Sequence, residues 1–144
     1  MRPRLSWSDR LLFFEAAVRL LVARTLLVAL PFRIVTRRLT VRDANGLASD
    51  ELLRRVRWAI GAVSRRAPWR CKCLEQGIAA KMMLRARRIP NTLYMGVARR
   101  EGAAAVEAHA WLRAGTMIVT GGEGHEQFTV VSSYADGAPA GQMR

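Results

Sequence analysis

The sequence predicts an α+β domain in which N-terminal helices precede a helix that packs on a small antiparallel sheet. Apolar residues recur at helical spacing through the first half of the chain, and short apolar runs separated by glycine-containing turns fill the second half. With 144 residues, the chain has room for one domain with a modest core. We interpret residues 1–144 as a single domain, with a helical part (1–66), a cysteine-bearing helix with the sheet (67–135) and a frayed tail (136–144).

Arginine dominates the charge of the chain. The formal net charge is +13, and Lys72 and Lys81 are the only lysines. The arginines are scattered over every predicted element, and aromatic residues do not alternate with them as they do on a nucleic-acid stacking surface. We therefore expect no nucleic-acid partner. The two cysteines form no disulfide framework and no signal peptide is recognisable, which favours a cytoplasmic location.

The first predicted helix lies within an unusually apolar segment, residues 11–32. Its length could span a bilayer, but Glu15, Arg19 and Arg24 interrupt it, and a central charge costs roughly 2.5–3.5 kcal/mol on insertion scales. Glu15 and Arg19 are four residues apart and can pair within the helix. We interpret the segment as a helix that packs against the domain or a partner, with peripheral membrane contact as the alternative, and that ends at Pro31.

Residues 32–46 are basic and fit either a short helix or an extended linker. Ser49 is a suitable N-cap for a further helix, because acidic residues follow it in the first turn. An apolar stripe at helical spacing continues to about Ser64, and three arginines form an opposite face that we expect to be solvated: Arg54, Arg55 and Arg57.

The next helix is predicted from a spacing of four between apolar residues: Leu74, Ile78, Met82 and Ala86. Pro90 and Asn91 end it, and strands follow at residues 92–97 and 106–112. Met117–Val119 is interpreted as a further strand of an antiparallel meander, and Phe128–Val131 as its last strand or a packed segment. This reading places a cysteine at a helix start and a histidine within a later strand.

That cysteine, Cys73, and the histidine, His109, form a candidate catalytic pair. Backbone N–H groups at a helix start favour negative charge and so favour a thiolate, and a histidine on a nearby strand can accept and return the thiol proton. Gly77, one turn after Cys73, would let the histidine-bearing strand come close. A Cys–His pair is weakly specific, however, and both residues also fit ordinary structural roles.

Four short motifs carry a resemblance to a known family. They are W-R-x-x-C-L-E-Q, which contains Cys73, then R-R-I-P, M-G-V and E-A-H-A-W, which contains His109. Together they resemble the leader peptidase of lasso-peptide biosynthesis, a relative of transglutaminase-like, papain-type cysteine proteases. The resemblance covers most of the chain. It implies that Cys73 is the nucleophile, that His109 is its base, and that the substrate is a ribosomally made precursor peptide. A separate leader-binding protein and an ATP-dependent cyclase are the partners it implies.

Several nearby residues compete for roles. Cys71 could also head the helix, but the resemblance places the nucleophile immediately before Leu74, hence at Cys73. The two cysteines could join His109 and His125 around zinc, yet their spacing matches no common structural zinc site, so we expect no metal and no cofactor. Trp69 or the backbone N–H of Cys73 could stabilise an oxyanion, and Trp111 is expected in the core.

The third catalytic member is open. The family's usual pattern puts an aspartate on the strand after H-A-W, where it would orient the imidazole. This sequence has Thr120, Gly121 and Gly122 there, and Glu123 is the nearest carboxylate. Either Glu123 or a neutral acceptor orients His109, or the site is a dyad.

Two rival functions fit the same features. One is a transglutaminase-like amidase or acyltransferase that acts on another peptide. The other is a non-catalytic scaffold whose apolar N-terminal helix binds a membrane complex.

Overall fold

A computed structural model describes residues 4–40, 46, 48–69, 72–99, 102 and 106–136, and confirms the predicted α+β class. The described residues form four helices, one 3-10 turn (His125–Gln127) and a four-stranded antiparallel sheet. The helices are α1 (Trp7–Ala29), α2 (Phe32–Leu39), α3 (Asp50–Arg66) and α4 (Cys73–Ala86). The strands are β1 (Thr92–Arg99), β2 (Val106–Ala114), β3 (Met117–Thr120) and β4 (Thr129–Ala135).

Serine caps and a proline set the bounds of the first helices. The side chain of Ser6 accepts a hydrogen bond from the Asp9 N–H at the start of α1, and Ser49 was correctly predicted to cap α3. Helix α1 ends at Ala29, with Leu30 as its C-cap, and Pro31 comes next, as predicted. Proline has no backbone N–H to donate and so cannot continue the helix. The basic segment after it contains a short helix, α2, over its first half.

Two ion pairs that the sequence did not reveal attach α1 to the rest of the domain. Arg55 was expected on a solvated face, but its Nη2 lies 3.1 Å from a carboxylate oxygen of Asp9 in α1. Glu15 was expected to pair with Arg19, but the two oxygens of Glu15 accept hydrogen bonds from Arg87, at 2.9 and 2.7 Å. These contacts lower the pKa of Glu15, chiefly through the Arg87 hydrogen bonds, and the charge of Arg19 contributes to the same lowering. Both pairs join residues far apart in sequence, which helical spacing cannot indicate.

The strand order in the sheet is β3-β2-β1-β4. The meander prediction is correct for the first three strands and wrong for the last, because β4 pairs with β1 rather than with β3. The loop from Gly121 to Phe128 carries the chain across the end of the sheet to its other edge. In the central pair, Gly96 of β1 lies directly opposite His109 of β2.

The core lies between α1, α3 and α4 and one face of the sheet. Gly77 allows the close approach of α4 to this face, since a Cβ there would lie 2.9 Å from Leu93 Cδ1 of β1 and 3.8 Å from Thr120 Oγ1 of β3. Gly77 was predicted to let the histidine-bearing strand, β2, come close, but the side chains next to its Cβ position belong to β1 and β3. Each large apolar side chain buried here contributes about 1.5–3 kcal/mol relative to exposure.

The frayed tail was predicted to begin at residue 136, but Asp136 is still held by the domain. The side chain of Asp136 is fully buried, its carboxylate lies 3.1 Å from Lys81 Nζ, and it accepts a hydrogen bond from Asn91 Nδ2 at 2.7 Å. Lys81 also donates to Asn91 Oδ1 at 2.8 Å. Burial lowers the pKa of Lys81, and the neighbouring Asp136 opposes that effect. The remainder of the predicted tail, 137–144, lies outside the described residues.

No helix in the described part of the chain is both long enough and apolar enough to cross a membrane. The charges at Glu15, Arg19 and Arg24 already argue against a membrane span by α1.

Candidate active site

Cys73 is the first residue of α4, and its free thiol is half-buried. The residue before it, Lys72, is the N-cap and makes no side-chain capping hydrogen bond, in contrast to the serines that begin α1 and α3. The first backbone N–H groups of α4 are therefore not used by a capping side chain. Such groups stabilise a negative charge placed beside them, whether a thiolate or an oxyanion.

Three side chains near the start of α4 contact one another: Arg24, Trp69 and Glu75. Trp69 Nε1 donates a hydrogen bond to Glu75 Oε2 at 3.2 Å, and Arg24 of α1 lies 3.6 Å from the other oxygen of Glu75. The Arg24 guanidinium also stacks 5.7 Å from the Trp69 ring centroid. Because the indole has one donor and Glu75 accepts it, the backbone N–H of Cys73 is the better placed of the two predicted oxyanion donors.

The imidazole of His109 is held by a main-chain carbonyl. His109 Nε2 lies 2.7 Å from the carbonyl oxygen of Gly121, in the turn after β3. A carbonyl oxygen can only accept a hydrogen bond, so Nε2 carries the proton and Nδ1 of the neutral ring is the acceptor. This contact selects the tautomer in which Nδ1 can take a proton from a thiol.

Gly121 can hold this position only as glycine. Its φ is +68°, in the left-handed region, and an added Cβ would overlap the carbonyl oxygen of Ala110 on β2. The turn therefore brings the Gly121 carbonyl to the imidazole, in the stretch where the resembled family has an aspartate. Glu123 is exposed two residues later. Of the alternatives predicted for orienting His109, the structure contains a neutral acceptor.

Aromatic rings enclose the other sides of the imidazole. The ring of Phe128 lies 4.9 Å from that of His109, and the ring of Trp111 stacks on His109 at 5.8 Å. The ring of Tyr94 in turn stacks on Trp111 at 5.7 Å. Gly96 makes the space for them, because a Cβ there would lie 2.9 Å from atoms of both Phe128 and Trp111. Sequence reasoning missed Gly96, although a glycine inside a strand indicates close packing at that point.

The second histidine lies next to this cluster but has its own partner. His125 Nδ1 lies 2.7 Å from the carbonyl oxygen of Gly122, and its ring is 5.6 Å from Trp111. Within the described residues, no group of three or more His, Cys, Asp or Glu side chains is arranged to hold a metal ion. Cys71, the rival nucleophile, lies outside the described residues.

Helix α4 approaches β3 one residue before the turn that holds His109. Gly77, one helical turn after Cys73, faces Thr120, and Thr120 directly precedes the glycine that holds His109. Among the described residues no hydrogen bond joins Cys73 Sγ to His109. Catalytic hydrogen bonds are often long in enzymes without substrate and tighten when it binds.

A sequence model of the family described as the Transglutaminase-like superfamily matches residues 17–133. The matched range covers most of the chain and contains Cys73, His109 and Gly121. No curated protein and no solved structure matches the chain.

Proposed function

We propose that this chain, which belongs to the transglutaminase-like superfamily, is a cysteine endopeptidase that removes the leader from a ribosomally made lasso precursor peptide. The observation that carries the proposal is the 2.7 Å hydrogen bond from His109 Nε2 to the Gly121 carbonyl. It leaves Nδ1 as the basic nitrogen of a histidine in a chain whose Cys73, the first residue of α4, begins the run C-L-E-Q. The four motifs that resemble lasso leader peptidases supply the substrate class.

The first half of the reaction forms an acyl-enzyme. Nδ1 of His109 accepts the thiol proton, and the sulfur of Cys73 attacks the scissile carbonyl to form the C–S bond. The oxyanion that develops is stabilised by backbone N–H groups at the start of α4, Cys73 among them. The C–N bond then breaks, His109 returns the proton to the leaving amine, and the core peptide departs with a free N-terminus.

The second half releases the leader. His109 takes a proton from water, the hydroxide attacks the thioester carbonyl, and the C–S bond breaks to return the Cys73 thiolate. Throughout both halves Gly121 keeps the ring in one tautomer without supplying a charge. The imidazolium gains less from such an acceptor than from a carboxylate, so a moderate turnover is expected.

Recognition of the leader is assigned to a separate leader-binding protein, and the released core to an ATP-dependent cyclase. Both assignments come from the resemblance. The free amine produced by cleavage is the group that a cyclase would join to a side-chain carboxylate, which gives the order of the two steps.

The test is cleavage of the precursor in the presence of the leader-binding partner, followed by mass spectrometry. Cys73→Ala and His109→Ala should abolish cleavage, while the matched variant Cys71→Ala should keep most of it. A thiol-directed alkylating reagent should label Cys73 and block the reaction. Equal loss in the Cys73→Ala and Cys71→Ala variants, both folded by circular dichroism, would defeat the assignment of the nucleophile.

The same experiment separates the rival functions. An acyltransferase forms the same kind of thioester but passes the acyl group to an amine, whereas an amidase passes it to water, and the superfamily match favours this pair as the second candidate. Adding a primary amine to an acyltransferase would then give a leader product heavier by the amine minus water, instead of the hydrolysed leader. A scaffold would give neither product.

A further inference from the structure

Helix α1 exposes an apolar stripe along one side. Five of its members are three or four residues apart, and the sixth follows two turns after Leu21, beyond Thr25: Trp7, Leu11, Phe14, Val18, Leu21 and Val28. Trp7, Phe14 and Val28 are 77%, 68% and 81% exposed. The fold does not use this stripe, because α1 packs on the domain through other residues: Leu12, Ala16, Leu20 and Ala23. Contiguous apolar surface of this kind marks a binding surface.

The charges around the α1 stripe are positive. Arg10 and Arg24 are the exposed charged residues of α1, and the Arg10 guanidinium lies 5.5 Å from the Trp7 ring centroid. Arg24 also contacts Glu75 and Trp69, but 45% of its side chain is exposed. The two acidic residues of the helix are paired with arginines from α3 and from the end of α4, as described above. The chain as a whole carries a formal charge of +13. The stripe is therefore apolar with a cationic border.

We propose that the α1 stripe docks on the surface of a membrane that contains anionic lipids, with the helix lying parallel to the membrane plane. Apolar side chains with arginine beside them suit the boundary between headgroups and acyl chains. Arginine can extend its guanidinium to the phosphates while its stem stays in the apolar layer, and tryptophan favours the same depth. No described helix is suited to cross the bilayer, so the helix lies on it.

Charge favours lipid over a second copy of the chain. The spacing of the stripe would also suit a paired helix. However, antiparallel pairing about the middle of α1 would set Arg10 opposite Arg24 of the other copy, and like charges at such positions are destabilising. An anionic surface attracts the same arginines.

The test is co-sedimentation of the full chain with vesicles of phosphatidylcholine alone and with one third phosphatidylglycerol, at low and high salt. We expect binding to the anionic vesicles that weakens with salt. Phe14→Ser should lower the partition coefficient more than tenfold, and Arg10→Gln about fivefold. The matched control is Val131→Ser, because Val131 is also an exposed apolar residue (61%) but lies on β4; it should bind like the parent chain.

Two results would overturn the proposal. One is equal binding of anionic vesicles by the parent chain and by folded Phe14→Ser and Leu11→Ser variants. The other is a dimer in sedimentation velocity without lipid that Phe14→Ser dissociates, which would assign the α1 stripe to a second copy. Neither readout depends on peptide cleavage, so the proposed protease function stands or falls separately.

Discussion

A main-chain carbonyl decides which nitrogen of His109 can act as a base. In the serine-protease template, neutralising the carboxylate that orients the histidine lowers turnover by about 10⁴, because the ring then adopts the wrong tautomer. The Gly121 carbonyl avoids that loss, because a carbonyl oxygen accepts a hydrogen bond and never donates one, so the ring keeps its proton on Nε2. What it cannot supply is the charge that would stabilise an imidazolium.

We therefore expect Glu123→Gln to lower the single-turnover cleavage rate by less than roughly tenfold, about 1.4 kcal/mol, whereas His109→Ala removes activity. Glu123 is exposed, and the hydrogen bond of the imidazole goes to Gly121. Rapid-quench measurement with the precursor peptide checks this. A loss of a thousandfold or more in folded Glu123→Gln protein would make Glu123 the third catalytic member.

Gly121→Ala tests the carbonyl itself. Two glycines of this loop have positive φ, Gly121 at +68° and Gly124 at +72°, but only at Gly121 would a Cβ overlap another atom. Both substitutions cost about 1–2 kcal/mol through backbone strain. Only Gly121→Ala should also move the acceptor away from His109, and we expect it to reduce cleavage at least a hundredfold.

The matched variant Gly124→Ala should keep cleavage within a few-fold of the parent rate. Thermal unfolding of both variants measures the shared strain, and the cleavage rate measures the displaced carbonyl. Similar cleavage rates in two equally stable variants would show that the Gly121 carbonyl does not position the histidine.

At the scale of elements, α1 is joined to the end of α4 by the bidentate pair of Glu15 and Arg87. The hydrogen bonds from Arg87 hold the pKa of Glu15 below its usual range. A carboxyl group with a lowered folded-state pKa stabilises the fold above its unfolded pKa of about 4.3. That contribution is lost as the pH falls through the lower folded-state value.

Glu15→Gln should therefore cost about 1 kcal/mol of unfolding free energy at pH 7, a value reduced by partial exposure of the pair. The substitution should cost little at pH 3, so the unfolding free energy of the variant should fall less between pH 7 and pH 3 than that of the parent chain. Urea unfolding between pH 7 and pH 3 measures both effects. Glu123→Gln is the control, because that side chain is exposed; an equal change of pH slope in the two variants would rule out the pair as the cause.

At the scale of the whole molecule, a buried polar cluster joins the α4–β1 connection to the end of the last strand. Lys81 and Asp136 both have fully buried side chains and form an ion pair, with Asn91 bonded to each. Removing one partner of a buried pair leaves a buried charge without its counter-charge, which typically costs about 3–5 kcal/mol.

Asp136→Ala should lower the unfolding free energy by about 3–5 kcal/mol, measured by urea unfolding at pH 7. Burial lowers the pKa of Lys81 in the folded state. At a pH between that lowered pKa and the usual lysine pKa, the unfolded variant therefore binds more protons than the folded variant. The variant's stability should therefore rise as the pH approaches the usual lysine range. Asp50→Ala, at the exposed start of α3, should cost less than about 1 kcal/mol. A similar small loss at Asp136 would show that the cluster does not hold the fold together.

The sequence by itself determined the elements, because their signals are local. Ser49 caps its own helix, and Pro31 ends the one before it. The spacing from Leu74 to Ala86 predicts the α4 helix but not which of its sides is buried, because residues 77–84 are buried on every side and Ala86 is exposed. The same local reasoning placed Cys73 at a helix start and His109 within a strand, and the proposed chemistry depends on that placement. Each of these inferences needs only residues within one or two turns of each other.

Only the tertiary structure decided which distant groups meet. Either edge of the sheet could have accepted β4, since a short apolar strand carries no label for its neighbour, and it pairs with β1. The cluster of Arg24, Glu75 and Trp69 joins α1 to α4 across much of the sequence. The acceptor of His109 was hidden for a different reason. It is a backbone carbonyl, which every residue possesses, and only the left-handed turn at Gly121 aims it at the ring.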